Sequence, residues 1–390
     1  MMRSTDQAPT DHLLELSPSG SGISPRLLEA RGGFLWWYLD LVDPEGNGLV
    51  LIWSYGLPFL PGYASAARRD EAPRAAQRPS LTLSTYRQGE LDFYLLQEFH
   101  PDEVQWETHD VGDTWRFAGS IIHSDADDQS RSITVDLKLD VPQHDQPVGF
   151  TLGAMGPGCR LPDTTHDPSV RRDDNLPDHD WVPLLTGLDA SATLSVDGIN
   201  QYFDGRLYHD RNGGKRPLHD LGLQSWAWGR IPLPDRDFIY YVLDGKDGSC
   251  QTLLLTIGQD GTIKRLHDAS FSRDSTSKNL GGLTWWPTMS VRGSILTPGD
   301  ISQMEIFHDD VVDSGPFYLR SVPTARLPDG STFRGIAEFC EPDRIDLDHH
   351  RPLVRMRVHQ RGGRNSMWLP LFTGPSTGRV QRLVQSWLPL

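Results

Sequence analysis

Aromatic and carboxylate side chains that could act together on an alkene lie close in the sequence. The segment YHDRNGG carries Asp210 and Asn212, and the later segment WAWGR carries Trp226 and Trp228 two residues apart. Alternate residues of a strand point to one face, which predicts that both indoles share one side of a sheet. A carboxylic acid beside aromatic rings suits protonation of an electron-rich alkene. The acid delivers the proton, and each ring stabilises the resulting cation by about 1–2 kcal/mol.

Tyr240 and Tyr241, on the next predicted strand, are candidates for a proton relay or a water-positioning group. Adjacent strand residues point to opposite faces, so at most one of them shares the side of the tryptophans. The same residues could instead serve only the fold, as core tryptophans and turn residues, and the residue types by themselves favour this interpretation. Alternate tryptophans usually belong to a core, and Asp-x-Asn-x-Gly usually forms a tight turn. We therefore expect residues 208–214 to form a turn-rich polar loop.

The sequence lacks the common motifs for cofactors and catalytic centres. It contains no GxGxxG opening a helix, no GxxxxGK[ST], no HExxH and no CxxC. Its three cysteines are far apart, which disfavours a disulfide framework or a thiolate zinc site. His166 and His179, in an Asp-rich stretch, are interpreted as parts of a solvated loop. We therefore predict no metal and no cofactor, so that any reaction uses side chains alone.

Composition indicates a globular protein built from short strands. The 390 residues include 37 Gly and 29 Pro, with 12 Trp, 14 Phe and 10 Tyr providing apolar area. The net charge is −15 and no basic cluster interrupts it, which excludes nucleic acid as a partner. The N-terminus lacks the apolar run of a signal peptide, so a cytoplasmic location is expected. The oligomeric state stays open.

Alternating hydrophobic residues predict an all-β protein. Ile133, Val135, Leu137 and Leu139 are separated by polar residues, which is typical of an antiparallel sheet with one buried face. The strand density predicts a polar lead-in over 1–30 and two antiparallel β-barrel or sandwich domains, 31–188 and 189–390. Residues 155–180 are too long for a passive connection, which predicts a lid or a domain border.

Residues 46–67 contain no charged side chain. Their prolines and glycines disfavour a membrane span and favour a strand followed by an apolar loop. The loop over 57–63 could touch either a membrane surface or an apolar ligand, so peripheral membrane contact is left open.

Three ordered blocks of the chain resemble the hydroxyneurosporene synthase family, the carotenoid 1,2-hydratases. The first is WWYLD near residue 36, and the second joins YHDRNGGKRPL to WAWGR. The third starts at PFYLRS and ends at EFCEPDR, so that the resemblance covers most of residues 33–358. The wider superfamily also includes cyclases of the Diels–Alder type.

The resemblance implies two lipocalin-like β-domains that hold an elongated apolar ligand. It implies hydration of the terminal C1=C2 bond of an acyclic carotenoid, without a cofactor. We expect Asp210 to be the acid, Tyr240 or Tyr241 the relay, and Arg230, Arg320 and Glu338 a structural network at the pocket floor. Contact with the polyene substrate is expected from Trp226, Trp228, Asn212, Tyr208, Trp36, Tyr38, Trp53 and Trp286.

Two alternatives remain at this stage: a cofactor-free cyclase acting on a polyene, and a non-enzymatic carrier of a hydrophobic molecule. Ala227 stands between the two tryptophans where hydratases tend to have a polar or acidic residue, which favours these alternatives. The Asp210 and Asn212 segment favours the hydratase.

Overall fold

The computed structural model describes most of the chain, namely residues 13–17, 23–109, 112–127, 130–141, 144, 146–162, 178–293, 302–354 and 358–360. The predicted lead-in over 1–30 lies partly outside these ranges, and so do His166 and most of the expected lid over 155–180.

Strands dominate these residues. The strands of the first part are β1 Glu15–Leu16, β2 Phe34–Val42, β3 Gly48–Tyr55, β4 Pro79–Arg87, β5 Glu90–Glu98, β6 Val104–His109, β7 Gly112–Phe117, β8 Ser120–Ala126, β9 Ser130–Leu139, β10 Val148–Pro157, β11 Asp180–Val196 and β12 Ile199–Gly214. Those of the second part are β13 Leu223–Pro232, β14 Arg236–Gly245, β15 Cys250–Gly258, β16 Ile263–Arg265, β17 Ser270–Arg273, β18 Ser277–Lys278, β19 Thr284–Trp285, β20 Thr288–Gly293, β21 Ser302–Ser314, β22 Tyr318–Arg326, β23 Thr332–Arg334, β24 Ile336–Cys340 and β25 Val358–Gln360.

Helices are short. The α-helices of the described residues are α1 Arg26–Glu29 and α2 Tyr63–Arg68. The 3₁₀ turns cover Ala75–Gln77, Pro101–Glu103, Leu218–Asp220, Pro342–Arg344 and Asp348–Leu353.

Two large sheets form the molecule. The first has the order β25-β5-β4-β3-β2-β12-β11-β10-β9-β8-β7-β6, and β1 pairs with β11. The second has the order β16-β15-β14-β13-β24-β22-β21-β20-β17, and β23 pairs with β22. Only the β1–β11 and β25–β5 pairs are parallel among those two sheets. The prediction of an all-β antiparallel fold is confirmed.

Strand β2 shows how the two sheets meet. Its odd-numbered residues, such as Leu35 and Trp37, point into the core of the first sheet. Its even-numbered residues, such as Trp36 and Tyr38, enter a different cluster, shared with the second sheet. Both faces are covered by neighbouring side chains, so all nine residues of β2, including Asp40, are buried. A third cluster fills the second sheet. The shared cluster therefore joins two curled sheets that each have their own core.

The largest difference from the sequence prediction concerns β12. Residues 208–214 are not a turn-rich loop, because they continue a 16-residue strand that pairs with β2 and β11. Two buried neighbouring strands override the turn preference of Asp, Asn and Gly. Strand β11 runs without interruption across the predicted border at residues 188 and 189, and the sheets change between Gly214 and Leu223. The division into two domains stays a prediction.

Candidate active site

A cavity of about 610 Å³ lies between the two sheets. Strands β2, β3, β4, β5 and β12 supply lining residues from the first sheet, and β13, β14, β21, β22 and β24 supply them from the second. Its size falls within the range typical of small-molecule sites. The loop after β3 also contributes, because Leu57 and Phe59 line the cavity. These two side chains of the loop therefore face the cavity, where a ligand would bind. Contact of the loop with a membrane stays a prediction.

The cavity has an exposed end and a buried end. Glu90, Leu91 and Asp92 form part of the exposed end, where Leu91 is 39% exposed. This stretch adjoins β21, since a Cβ atom on Gly89 would lie 3.3 Å from the side chain of Asp310. Asp210, on β12 four strands away from β5 in the same sheet, is only 2% exposed. We call these the mouth and the inner end.

Asp210 is held at the inner end by three hydrogen bonds. Trp181 Nε1 donates to Oδ2 at 2.7 Å, and the Tyr208 hydroxyl donates to the same oxygen at 2.9 Å. Asn212 Nδ2 donates to Oδ1 at 3.2 Å. Because Oδ2 already accepts two bonds, a proton on this carboxyl belongs on Oδ1. A β-bulge on β11, between Pro183 and Leu185, lies opposite Asp210 and bends the strand there.

Burial raises the pKa of Asp210 to about 8, although the hydrogen bonds from Trp181 and Tyr208 act in the opposite direction. The desolvation of the charged form outweighs those bonds. The nearby Glu338 carboxylate raises the pKa further. Asp210 is therefore mostly protonated at neutral pH, as a general acid must be.

His179 extends this hydrogen-bonded group. Its Nε2 lies 3.2 Å from Asn212 Oδ1, while the amide nitrogen of Asn212 faces Asp210. Burial lowers the pKa of His179 to about 4, so the ring is neutral and its Nε2–H donates to the amide oxygen. This bond fixes the orientation of the Asn212 amide, which in turn fixes the Asp210 carboxyl.

Aromatic rings surround the acid from both sheets. The ring of Trp228 lies 5.6 Å from that of Tyr208 and 5.2 Å from that of Tyr38. Trp181 contacts Tyr241 edge-to-face at 5.4 Å. These side chains give the inner end the electron-rich faces that stabilise a carbocation.

A second carboxyl group lines the same cavity from the opposite sheet. Arg320 donates to Glu338 Oε1 from Nε at 3.1 Å and from Nη2 at 2.7 Å. The guanidinium is also bound to Ser84 Oγ at 3.1 Å and to the Tyr86 hydroxyl. Thus one carboxyl at the cavity is protonated and the other is paired with a cation, which gives the two groups different chemical roles.

The sequence profile of the carotenoid hydratase family CrtC matches residues 164–367, more than half of the chain. The chain belongs to this family. It is therefore classified as a hydro-lyase, and the sequence resemblance is confirmed.

Relatives of this carotenoid hydratase family member share most of its length. The hydroxyneurosporene dehydrogenase of Chlorobaculum tepidum is 27% identical over 363 residues, which are 88% of this chain and 91% of the relative. The acyclic carotenoid 1,2-hydratase of Thiocapsa roseopersicina is 23% identical over 337 residues, 85% of this chain and 74% of the relative.

Two solved structures share the fold. A putative AttH protein from Nitrosomonas europaea superposes with a TM-score of 0.53 at 16% identity, over 80% of this chain and 93% of that one. The protein CghA gives 0.51 at 12% identity, over 85% and 95%. At these identities the likeness shows the fold alone, and it agrees with the predicted lipocalin-like class.

The structure brings most of the predicted site residues of this family member together. The predicted residues that line the cavity are Trp36, Tyr38, Asp210, Asn212, Trp226, Trp228 and Tyr241. Tyr208 lies behind them and holds Asp210. Their roles in binding or catalysis stay predictions.

Three predicted residues lie elsewhere. The Tyr240 hydroxyl donates to His308 Nε2 at 2.7 Å inside the second sheet, because Tyr240 faces away from Tyr241. Trp53 stacks on Trp37 in the core of the first sheet. Trp286 packs in the core of the second sheet. Of the two candidate relays, only Tyr241 faces the cavity.

Arg230 also lies outside the cavity lining. Its guanidinium binds Asp40 and Asp237, and all three side chains are fully buried. Asp40 belongs to β2 and the other two to β13 and β14, so this ion triad joins the two sheets. Arg320 and Glu338, by contrast, line the cavity, and the predicted single network at the pocket floor is therefore two separate ones.

The sequence interpretation missed His179 and Trp181. His179 is 2% exposed and not part of a solvated loop, because β11 begins beside it and buries it against Asn212. His179 and Trp181 are two residues apart, as are Tyr208 and Asp210, and in a strand this spacing places both residues of a pair on the same face. This shared spacing is the signal that could have found them.

Ala227 does not face the cavity. It belongs to the core of the second sheet, with Trp226 and Trp228 on the other side of β13. An acidic residue there would point away from the site, so Ala227 no longer favours the alternatives.

The described ranges contain neither a metal-type cluster of side chains nor a membrane-spanning helix. No three His, Cys, Asp or Glu side chains there come together as a metal site would require. In the same part of the chain, no helix has the length and apolar character needed to cross a bilayer.

Proposed function

We propose that this protein hydrates the terminal C1=C2 double bond of an acyclic carotenoid without a cofactor. The observation that carries the proposal is a buried carboxyl, Asp210, whose raised pKa favours its protonated form at the aromatic inner end of the cavity. The names of its relatives, which include acyclic carotenoid 1,2-hydratase, supply the substrate class.

The reaction begins with proton transfer from Asp210 Oδ1 to C2 of the alkene. The π electrons form the new C2–H bond, which leaves a tertiary cation at C1. The faces of Trp228, Trp226 and Tyr38 stabilise this cation. A water molecule then forms the C1–O bond and loses a proton, so that the product is a tertiary alcohol with one added water. No oxidant or reductant is required.

Product mass analysis tests this proposal. Purified protein is incubated with lycopene or neurosporene dispersed in detergent. The pigments are then separated by chromatography, and their masses are measured by mass spectrometry. A product heavier by one water supports hydration. A product of unchanged mass but altered retention would indicate a cyclase, and unchanged pigment retained on folded protein would indicate a carrier. Either result would contradict hydration.

The pH dependence of kcat/KM follows from the raised pKa of Asp210. The acid must carry its proton, so activity is expected to be constant below about pH 8 and to fall about tenfold per pH unit above it. Initial rates in buffers from pH 6.5 to 10, with the folded fraction followed by circular dichroism, measure this. A rate that rises through pH 8 would show that the essential group works deprotonated.

Replacement of each tyrosine by phenylalanine separates their roles. Tyr241→Phe is expected to lower kcat about tenfold or more, because Tyr241 is the candidate relay that lines the cavity and phenylalanine removes its hydroxyl. Tyr240→Phe leaves His308 Nε2 without its donor and is expected to cost about 1–3 kcal/mol of stability, with kcat retained. Turnover and thermal unfolding of both variants are compared. If Tyr240→Phe lost turnover and Tyr241→Phe kept it, the relay would be Tyr240 and not Tyr241.

A further inference from the structure

Glu338 faces the cavity from the wall opposite to Asp210. Asp210 lies on β12 of the first sheet, whereas Glu338 lies on β24 of the second, between β13 and β22. In the strand register, Glu338 is paired with Trp228 on one side and with Arg320 on the other. These three side chains all line the cavity.

The Trp228 indole connects the two walls. Its ring packs on Tyr208, whose hydroxyl donates to Asp210, and its backbone is the register partner of Glu338. Asp210 and Glu338 therefore approach this indole from different sheets, which is the arrangement expected if a substrate alkene binds between them. The indole Nε1 of Trp228 is also buried without a hydrogen-bond partner among the described residues, so it is a donor available to a bound molecule.

The contacts of Glu338 leave it able to accept a proton. Both bonds from the Arg320 guanidinium end on Oε1, so Oε2 is not engaged by this cation, and the Tyr318 hydroxyl also interacts with this carboxyl. Arg320 itself is 5% exposed and is fixed by Ser84 and Tyr86 of the first sheet. A carboxylate paired with such a guanidinium carries its negative charge. It is thus positioned and charged as a general base.

We infer that Glu338 is the base that deprotonates the attacking water, on the alkene face opposite to Asp210. This inference rests on the proposed hydration. As the water oxygen bonds to C1, one of its O–H bonds breaks and the proton passes to Glu338. Asp210 has given its proton to C2, so solvent returns one proton to Asp210 and removes one from Glu338, and the overall change is the addition of H₂O. The arrangement resembles two carboxyls that act on opposite faces of a sugar with a water between them.

Replacement of Glu338 by glutamine in the full chain tests this role. Glu338→Gln is expected to lower formation of the alcohol by about 10²–10⁴-fold, the usual contribution of a general base. Azide is already an anion and needs no base, and Arg320 without its counter-ion attracts it. With lycopene and sodium azide in D₂O, this variant is therefore expected to form a tertiary azide with one deuterium at C2.

Matched variants separate this inference from the proposed function. Glu107→Gln, at an exposed position on β6, is expected to form the alcohol at the wild-type rate. Asp210→Asn is expected to form neither alcohol nor azide, because both need the proton. If the wild-type protein forms the alcohol and Glu338→Gln forms it at the same rate, the role of Glu338 as a base is overturned while the proposed hydration stands. If the wild-type protein forms no alcohol, the proposed hydration itself is overturned.

Two further outcomes decide the role of Glu338. If a folded Glu338→Gln variant loses azide formation and alcohol formation to the same extent, the inference is overturned, because Glu338 would then only support the structure of the site. If the variant does not fold, the wild-type stereochemistry decides. Lycopene with one isotopically labelled terminal methyl, hydrated in D₂O, is expected to give anti addition of deuterium and hydroxyl. Syn addition would place donor and base on one face and overturn the inference.

Discussion

Replacing Asp210 with asparagine is expected to reduce hydration of an acyclic carotenoid by about 10²–10⁴-fold or more, because the alkene loses its proton donor. Asparagine has nearly the same shape, and its amide oxygen accepts the bonds from Trp181 and Tyr208, while its NH2 group replaces the oxygen that accepts from Asn212. The substrate is therefore expected to bind as before. The initial rate of alcohol formation and the bound pigment measure the two effects separately.

The fold of this variant is expected to survive. In the unfolded chain Asp210 has the ordinary aspartate pKa, and in the folded chain burial raises the pKa to about 8. The folded state therefore favours the neutral form, and asparagine is permanently neutral. Asp204→Asn, at an exposed position of the same strand, is the matched control and should retain full activity. Comparable turnover in both variants would remove Asp210 from the mechanism.

Replacing Arg230 with methionine is expected to have the largest effect on stability. The guanidinium donates to Asp237 at 3.0 Å, and also binds Asp40 across the boundary between the sheets. Without it, two fully buried carboxyls face each other with no cation. Removing one partner of a buried ion pair costs about 3–5 kcal/mol. Urea denaturation of the two proteins gives the difference in the free energy of unfolding.

An exposed ion pair provides the control for Arg230. Arg69 and Glu71 are more than half exposed, and Arg69→Met is expected to cost about 0–1 kcal/mol. Adding Asp40→Asn and Asp237→Asn to Arg230→Met should recover part of the loss, because no buried charge then lacks a partner. If Arg230→Met were no more destabilising than Arg69→Met, the ion triad would not hold the sheets together.

The strand content followed directly from the sequence. In β9 the alternation of Ile133, Val135 and Leu137 with polar residues predicts the pleat that the structure shows. Strand β12 could not be predicted in the same way. Asp210, Asn212 and Gly213 are poor strand formers, and they adopt the strand because β2 and β11 satisfy their backbone groups on both sides.

The side of a strand on which a site residue lies could be predicted from its spacing along the sequence. Contacts between residues that are distant in the sequence could not be predicted in this way. Spacing of two correctly grouped Trp226 with Trp228 on the cavity side. The choice between Tyr240 and Tyr241 depended on the register of β14 against β13, which no local pattern encodes. Arg320 and Glu338 are 18 residues apart, and only the pairing of β22 with β24 brings them together.

The mouth bordered by Glu90, Leu91 and Asp92 has a consequence for the order in which products form. Glu90, Leu91 and Asp92 are exposed and Asp210 is buried, so under the proposed hydration a linear polyene is expected to reach Asp210 with one terminus leading. A molecule with two identical termini must leave and return reversed before its second terminus can react. Hydration of such a molecule is then distributive, and the product hydrated at one end accumulates in solution before the doubly hydrated one.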